Sequence, residues 1–298
     1  MHNLKQYVGQ AIDSALNQTY PKIEIIVVDD GSTDRPGTVL KEYKDHIKLI
    51  TQENRGPSSA RNVGISQSEG NYLVFLDADD YICPNKIENE VEILEQNPEI
   101  GWVYERSLIV DENKHIIRKL PEAVLEPTEQ PPQGKIFHKL FMGRGNLMPV
   151  NAVMIRKKVI EVGLFDESLR GYEDWDFWLR VSAKYEVKYI DRTLAFVRSR
   201  PDSSQRNFIM FYSDKIRVIN KICRLYPDLT HPYKYEINRV LAQTHNYLGV
   251  EYYKKDRLKE SASEFIKAIK ACPLGKRVYF NLTLVILKIL RIPCRISL

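Results

Sequence analysis

Four polar groupings in this chain carry residue types that do chemistry. The first is Asp77-Ala78-Asp79-Asp80. Closely spaced carboxylates of this kind can hold a hard divalent cation such as Mg²⁺ or Mn²⁺, which prefers oxygen ligands and keeps water and substrate phosphates in its shell. Taken alone, the same residues also make an ordinary acidic turn ahead of a helix. The second is Asp29-Asp30-Gly31-Ser32-Thr33-Asp34. It reads either as an Asx turn with Ser32 or Asp34 capping the next helix, or as an aspartate that accepts a hydrogen bond from a nucleobase imide N–H. The third, Asn54-Arg55-Gly56-Pro57-Ser58-Ser59-Ala60-Arg61-Asn62-Val63-Gly64, is a glycine-opened helix start with Ser58 or Ser59 able to cap it. Arg61 on that helix can face a diphosphate as a fixed cation, or can be an exposed helix arginine. The fourth is Glu173-Asp174-Trp175-Asp176. A carboxylate there is either a helix N-cap or a general base that takes a proton from a nucleophilic hydroxyl.

The elements around these groupings alternate. An apolar stripe of Tyr7, Ala11, Ile12, Ala15 and Leu16 predicts a helix over 5–18, stopped at Tyr20-Pro21. Ile23 to Val28 is a nearly unbroken β-branched run, which suits a strand buried on both faces. A helix near 36–44, a short strand at 47–50, a helix from Gly56 and a strand over 72–76 follow. Ile87, Val91 and Leu94 mark the helix after Pro84. Residues 120–135, rich in Pro, Glu and Gln, predict a mobile loop, and Val150 to Ile155 a strand. The sequence from Gly171-Tyr172-Glu173-Asp174 leads into a helix with Trp175, Trp178, Leu179 and Ser182 on one side. This β-α-β-α order predicts an open α/β sheet, with both early acidic clusters at the carboxyl ends of strands, where such sheets bind ligands.

Taken together, in this order and spacing, the segments resemble the family-2 glycosyltransferases of the GT-A fold. The resemblance runs over residues 3–204 and is carried by Ala11 to Pro21, Val27 to Asp34, Asn54 to Gly64, Phe75 to Asp80, Val162 to Glu167 and Glu173 to Arg180. It implies a nucleotide-sugar-binding open sheet and inverting transfer from a nucleotide sugar, most often UDP-linked, to a glycan or lipid-linked acceptor of polysaccharide synthesis. At matched positions it implies that Asp30 binds uracil, Arg61 lies near the diphosphate, and Asp79 contacts the ribose side and assists the metal. It makes Asp80 the metal ligand, with Asp77 assisting, and Asp174 the catalytic base. Mn²⁺ or Mg²⁺ is the implied cofactor. The chemistry is physically consistent: one-step displacement at the anomeric carbon needs a base on the acceptor side and charge neutralisation on the leaving diphosphate. Neither a G-x-S-x-G elbow nor a Walker A lysine is present.

Two departures accompany the resemblance. Relatives often carry an arginine and then a histidine in the loop after the last strand. Here that segment is Phe196-Val197-Arg198-Ser199-Arg200-Pro201, so Arg198 fits and Arg200 replaces the histidine. Arginine cannot ligate a metal, but both arginines can neutralise diphosphate. Relatives also open with a strand that ends about where Met1-His2-Asn3 stand, so the usual first strand is expected to be missing. An empty slot would leave roughly ten ladder bonds unmade, at about 1–3 kcal/mol for each buried group. Either 23–28 and 72–76 then pair directly and deform the pocket, or the true start lies upstream. An extension of about ten residues is then expected to restore nucleotide-sugar binding.

Composition bounds the rest. The chain has 298 residues, 43% of them hydrophobic, which supports a real core without staples. Four scattered cysteines form no C-x-x-C pair, so neither a zinc site nor a disulfide framework is expected. The polar start lacks a signal peptide, and the apolar stretch from Val278 to Leu287 is too short to span a bilayer. A cytoplasmic protein, peripheral at the inner face of the membrane, is the expectation. The net charge of +5 divides into −6 over residues 1–204 and +11 over 205–298. This marks a boundary between a catalytic domain, 1–204, and a small all-α domain, 205–298. Residues 242–273 resemble one tetratricopeptide unit through Ala242, Leu248, Gly249, Tyr252, Phe265, Ala268 and Pro273. Lys288, Arg291 and Arg295 beside Leu, Ile and Val make residues 278–296 a candidate membrane-surface helix. No nucleic-acid motif accompanies the charge, so nucleic acid is not an expected partner. The rival to an enzyme is a catalytically inactive nucleotide-sugar fold that acts as a scaffold through its helical tail.

Overall fold

A computed structural model of the chain describes residues 1–126, 129–143, 148–200, 207–273 and 276–290. It divides into two compact units: Met1–Leu169 with Glu173–Ser203, and Arg170–Tyr172 with Ser204–Leu298.

The first unit runs α1 (Lys5–Leu16), β1 (Ile26–Asp30), α2 (Gly37–Leu40), β2 (Lys48–Gln52), α3 (Pro57–Gln67), β3 (Tyr72–Val74), β4 (Tyr81–Ile82), α4 (Lys86–Gln96), β5 (Trp102–Val110), β6 (Ile116–Leu120), α5 (Phe137–Met142), β7 (Val153–Arg156), α6 (Glu173–Ser182) and β8 (Val187–Arg198). The strands form two sheets. β1 and β2 make a parallel pair, Ile26 opposite Lys48 and Asp30 opposite Gln52. The other is mixed, in the order β3-β7-β5-β8-β4, with β6 pairing β5.

β5 is the spine of the mixed sheet. It runs antiparallel to β7 and parallel to β8, with register shifts around Arg106. Side chains alternate along a strand, so Val103 and Glu105 face one way and Trp102 and Tyr104 the other. Val103 packs with Val91 and Leu94 of α4, Met154 of β7, and Ile190 and Leu194 of β8. On the opposite face Trp102 stacks on Trp178 of α6, centroids 5.6 Å apart. The helix α6 thus buries the apolar side expected of it, with Asp176 and Arg180 paired at 2.9 Å inside it.

Several local expectations are corrected. The strand expected at 23–28 lies at 26–30, and the one at 150–155 begins with a 3-10 turn over Val150–Ala152. α1 is rotated from its expected stripe: Leu4, Val8, Ala11 and Ile12 are buried and Leu16 is exposed. The segment 120–135 contains a 3-10 turn at Glu122–Val124, and the backbone of Gly134 bridges that of Val187. Direct pairing of 23–28 with 72–76 does not occur, since β1 and β3 belong to separate sheets. The far edge of β1 is met by Met1, whose amino group donates to Val28 O at 2.7 Å and whose carbonyl accepts from Asp30 N–H at 2.8 Å.

The second unit is helical: α7 (Phe208–Leu225), α8 (Pro227–Thr230), α9 (Lys234–Lys254), α10 (Leu258–Ala271) and α11 (Lys276–Ile289). Its core joins Ala242 of α9, Phe265 and Ala268 of α10, and Val278 and Val285 of α11. α9 and α10 approach closely because Gly249 has no side chain, and a Cβ there would lie 2.6 Å from the Phe265 ring. Ser261 Oγ donates to Gly249 O at 2.7 Å, and the buried Asn281 donates to Asn246 at 2.8 Å. Among the described residues no helix is long and apolar enough to cross a membrane. Cys83, Cys223 and Cys272 are free thiols. Cys294, Arg291 and Arg295 lie outside the described residues.

Candidate active site

Asp30 ends β1 and is buried. Its Oδ1 accepts Arg55 N–H at 2.8 Å and the Gln52 amide at 2.7 Å, and its Oδ2 accepts Gly56 N–H at 2.8 Å. Asp30 therefore holds the backbone that enters α3. Ser58 and Ser59, the caps expected from local sequence, are buried, and α3 has no side-chain bond from its own N-cap, Gly56. Asp34 likewise serves a distant helix: it accepts Lys5 N–H at 2.8 Å, at the start of α1 rather than of α2. Asp29 makes the expected Asx turn with Ser32 N–H. Gly31, at φ +70°, allows this turn to pass Asn54, whose backbone nitrogen a Cβ would meet at 2.7 Å.

Arg61, on α3, is nearly enclosed. It pairs with Asp77 at 2.9 Å and with Glu173 at 3.2 Å, over the ring of Phe165. Burial opposes its charge, but Asp77 and Glu173 outweigh that and raise its pKa. Its Nε is buried without a partner among the described residues. Beside it, Asn62 binds the backbone of Phe165 in both directions at 3.0 Å and Glu167 at 3.0 Å, which fixes α3 against the segment 162–167.

The turn after β3 brings the three acids together. Asp79 pairs with Arg200 at 2.7 Å, and Asp80 accepts Arg198 N–H at 2.8 Å. Arg198 Nε donates to Asp79 O at 2.9 Å, and its Nη2 donates to Gln10 Oε1 at 2.7 Å. The segment expected as a loop is therefore strand up to Arg198. The ring of Tyr7 lies under both guanidinium groups, 4.8 Å from Arg198 and 5.7 Å from Arg200. Burial and the charge of Asp77 raise the Asp79 carboxyl, and burial with Asp77 and Asp79 pushes Asp80 well above the ordinary carboxylate range. Among the described residues no three His, Cys, Asp or Glu side chains group as a ready metal cage. Oxygen donors in a negatively charged turn nevertheless fit Mg²⁺ or Mn²⁺, which is held by one or two carboxylates with phosphates completing the shell.

Asp174 lies in the first turn of α6, where the helix end favours negative charge. Its Oδ1 accepts Trp175 N–H at 2.7 Å, and its neighbour Glu173 is the partner of Arg61. Contacts thus run without a gap from Asp79 through Arg198 to Asp80, and from Asp77 through Arg61 to the residue before Asp174. Asp30 holds both ends of the loop that leads from β2 into α3, through Gln52, Arg55 and Gly56.

Residues 1–163 match the profile of Glycosyl transferase family 2. The chain belongs to that family. An uncharacterized glycosyltransferase of Rickettsia typhi is 37% identical over 197 residues, 62% of this chain and 58% of that protein. The uncharacterized glycosyltransferase EpsJ of Bacillus subtilis is 34% identical over 214 residues, 68% of this chain and 60% of that protein. The chain thus spans under two thirds of the length of these relatives. Among solved structures, S. aureus TarS 1-349 with UDP-GlcNAc superposes with a TM-score of 0.64 at 18% identity, over 98% of this chain and 86% of that one. The mannosyltransferase PcManGT from Pyrobaculum calidifontis, solved with GDP-Man and Mn²⁺, gives 0.57 at 16% identity, over 98% and 80%. The family-2 chain has the GT-A fold, followed by an all-helical region.

Reading the sequence alone gives no role to Tyr7, Gln10, Gln52, Asn62 or Glu173. Tyr7 falls on a helical apolar period and so reads as core, although its ring serves the two arginines. Glu173 adjoins the candidate base and is the one with a local signal.

Proposed function

We propose that this chain transfers a glycosyl group, with inversion, from a nucleoside diphosphate sugar, UDP-linked, to a hydroxyl of a glycan or lipid-linked acceptor. The observation that carries the reading is Arg61, which bridges the acidic turn at Asp77 and the candidate base's neighbour Glu173. In this reading that cation lies between the leaving diphosphate and the incoming hydroxyl. In this reading Asp30 and Gln52 face the base, and Asp79 the ribose. Arg61, Arg198 and Arg200 face the phosphates, whose charge grows as the anomeric C–O bond breaks. Asp174 takes the acceptor's proton as its oxygen bonds the anomeric carbon. Asp80, with Asp79 and Asp77, would hold Mn²⁺ or Mg²⁺, which when bound supplies Lewis-acid neutralisation of the diphosphate.

Calorimetric titration with UDP in Mn²⁺ and in EDTA tests this. The unsubstituted chain is expected to bind more tightly in Mn²⁺. Asp80→Asn, which keeps an acceptor for Arg198 N–H, is expected to lose at least about tenfold in Mn²⁺ and little in EDTA. Equal loss in both buffers would assign Asp80 a structural role. Failure of the unsubstituted chain to bind UDP in either buffer would sink the reading in favour of a scaffold.

A specific observation also supports a peripheral membrane contact. Lys259, Lys267 and Lys270 of α10 line a surface depression together with Ala262, Ile266 and Ile289. Tyr279, Phe280, Ile286 and Leu290 are exposed nearby in sequence. Lysines on one helix and exposed apolar groups on the next suit an anionic lipid surface. The protein is expected to sediment with phosphatidylserine vesicles at low salt, and to lose this on Lys259→Glu with Lys270→Glu. Sedimentation indifferent to lipid charge would refute it.

A further inference from the structure

The three acids of the turn are held by partners of different kinds. Asp80 is held by a backbone N–H inside β8, and Asp77 by an arginine that is also tied to Glu173. Asp79 is held by the side chain of Arg200, which lies two residues past the end of β8. The pair is largely enclosed, each side chain 17% exposed, so its charges are poorly screened. An incoming dication would meet a guanidinium already seated on one of its ligands. A guanidinium prefers a phosphate when one is offered, through paired N–H donors.

Resting on the function proposed above, we propose that Arg200 and the divalent cation compete for Asp79, so that the cation binds tightly only when a nucleotide diphosphate is present to receive the guanidinium. Arg200 then acts as a built-in substitute for the metal in the empty site and as a phosphate ligand in the filled one. Binding of metal and of nucleotide are coupled through it, and the coupling is reciprocal.

The test is Mn²⁺ binding followed by the electron paramagnetic resonance signal of free Mn²⁺, with and without saturating UDP. No turnover is needed. Without UDP, Arg200→Gln is expected to bind Mn²⁺ about 5- to 150-fold more tightly than the unsubstituted chain. Arg200→Lys, which keeps a cation, should stay near the unsubstituted value. With UDP the gap between Gln and Arg should close. Arg200→Gln binding Mn²⁺ no more tightly than the unsubstituted chain in the absence of UDP would overturn the inference. Absence of Mn²⁺ binding by the unsubstituted chain with UDP present would instead overturn the functional reading beneath it.

Discussion

Asp174→Asn is expected to lower glycosyl transfer by about 100- to 10,000-fold while UDP binding stays within a few-fold of the unsubstituted chain. The amide is nearly isosteric, and its oxygen can still accept Trp175 N–H as Asp174 Oδ1 does at 2.7 Å. It cannot take up the acceptor's proton. The loss should therefore fall on the rate of the chemical step and not on donor affinity. The neighbouring Glu173 is engaged with Arg61 at 3.2 Å and is not placed to substitute. Single-turnover transfer alongside a UDP titration separates the two quantities. Transfer within a few-fold of the unsubstituted rate would remove Asp174 from the mechanism.

The second large effect is on stability. Lys86 of α4 donates to Glu90 at 2.7 Å and to Glu105 of β5 at 2.6 Å, and none of the three side chains reaches solvent. Removing the one cation leaves two buried carboxylates facing each other. Lys86→Met is thus expected to cost about 3–5 kcal/mol in urea unfolding, a large share of a typical total of about 5–15 kcal/mol. The pH dependence has a definite sign. Burial, and beyond it the charge of Glu105, push the Glu90 carboxyl well above its ordinary range against the pull of Lys86. A carboxyl raised on folding stabilises in acid, and that contribution fades as pH climbs through its folded value. Without Lys86 the Glu90 carboxyl loses the one pull that lowers it, so the variant's deficit should widen as pH rises above the ordinary glutamate range. Adding Glu90→Leu and Glu105→Leu should recover most of the loss, since an apolar set of similar volume has no charge to bury. A deficit below about 1 kcal/mol, or one flat with pH, would show that the triad is solvated.

That triad also explains what local sequence conceals. β5 is the centre of the mixed sheet, yet Glu105-Arg106 interrupts its apolar run, and no strand is legible there. The charge is answered by Lys86, nineteen residues earlier, and only tertiary structure reveals the match. The same holds for the caps. Asp30 serves α3 from twenty-five residues away, so Ser58 and Ser59 look like better candidates than they are. In contrast, the acidic turns stand out, because each follows a short β-branched or aromatic run that must end at a ligand-facing edge. Arg61 and Asp174 were legible as types at a helix start, but their link through Glu173 depends on how α3 meets α6. Which strands pair is set by side chains far apart in the chain, and the separation of β1–β2 from the mixed sheet has no local signature.

That separation has a mechanical consequence. Among the described residues no ladder joins β1–β2 to the mixed sheet. Across that seam the first unit is fastened by side chains such as Arg61 to Asp77 and Asn62 to Phe165. A seam sewn by side chains opens more readily than one sewn by a continuous ladder, and amides on its weaker side exchange through such openings. Asp30 and Arg61 stand on one lip, and Asp79, Asp80 and Arg198 on the other. A ligand gripping both would act as a rivet, and part of its binding energy would appear as stiffness in β1 and β2, two strands it need not touch along most of their length.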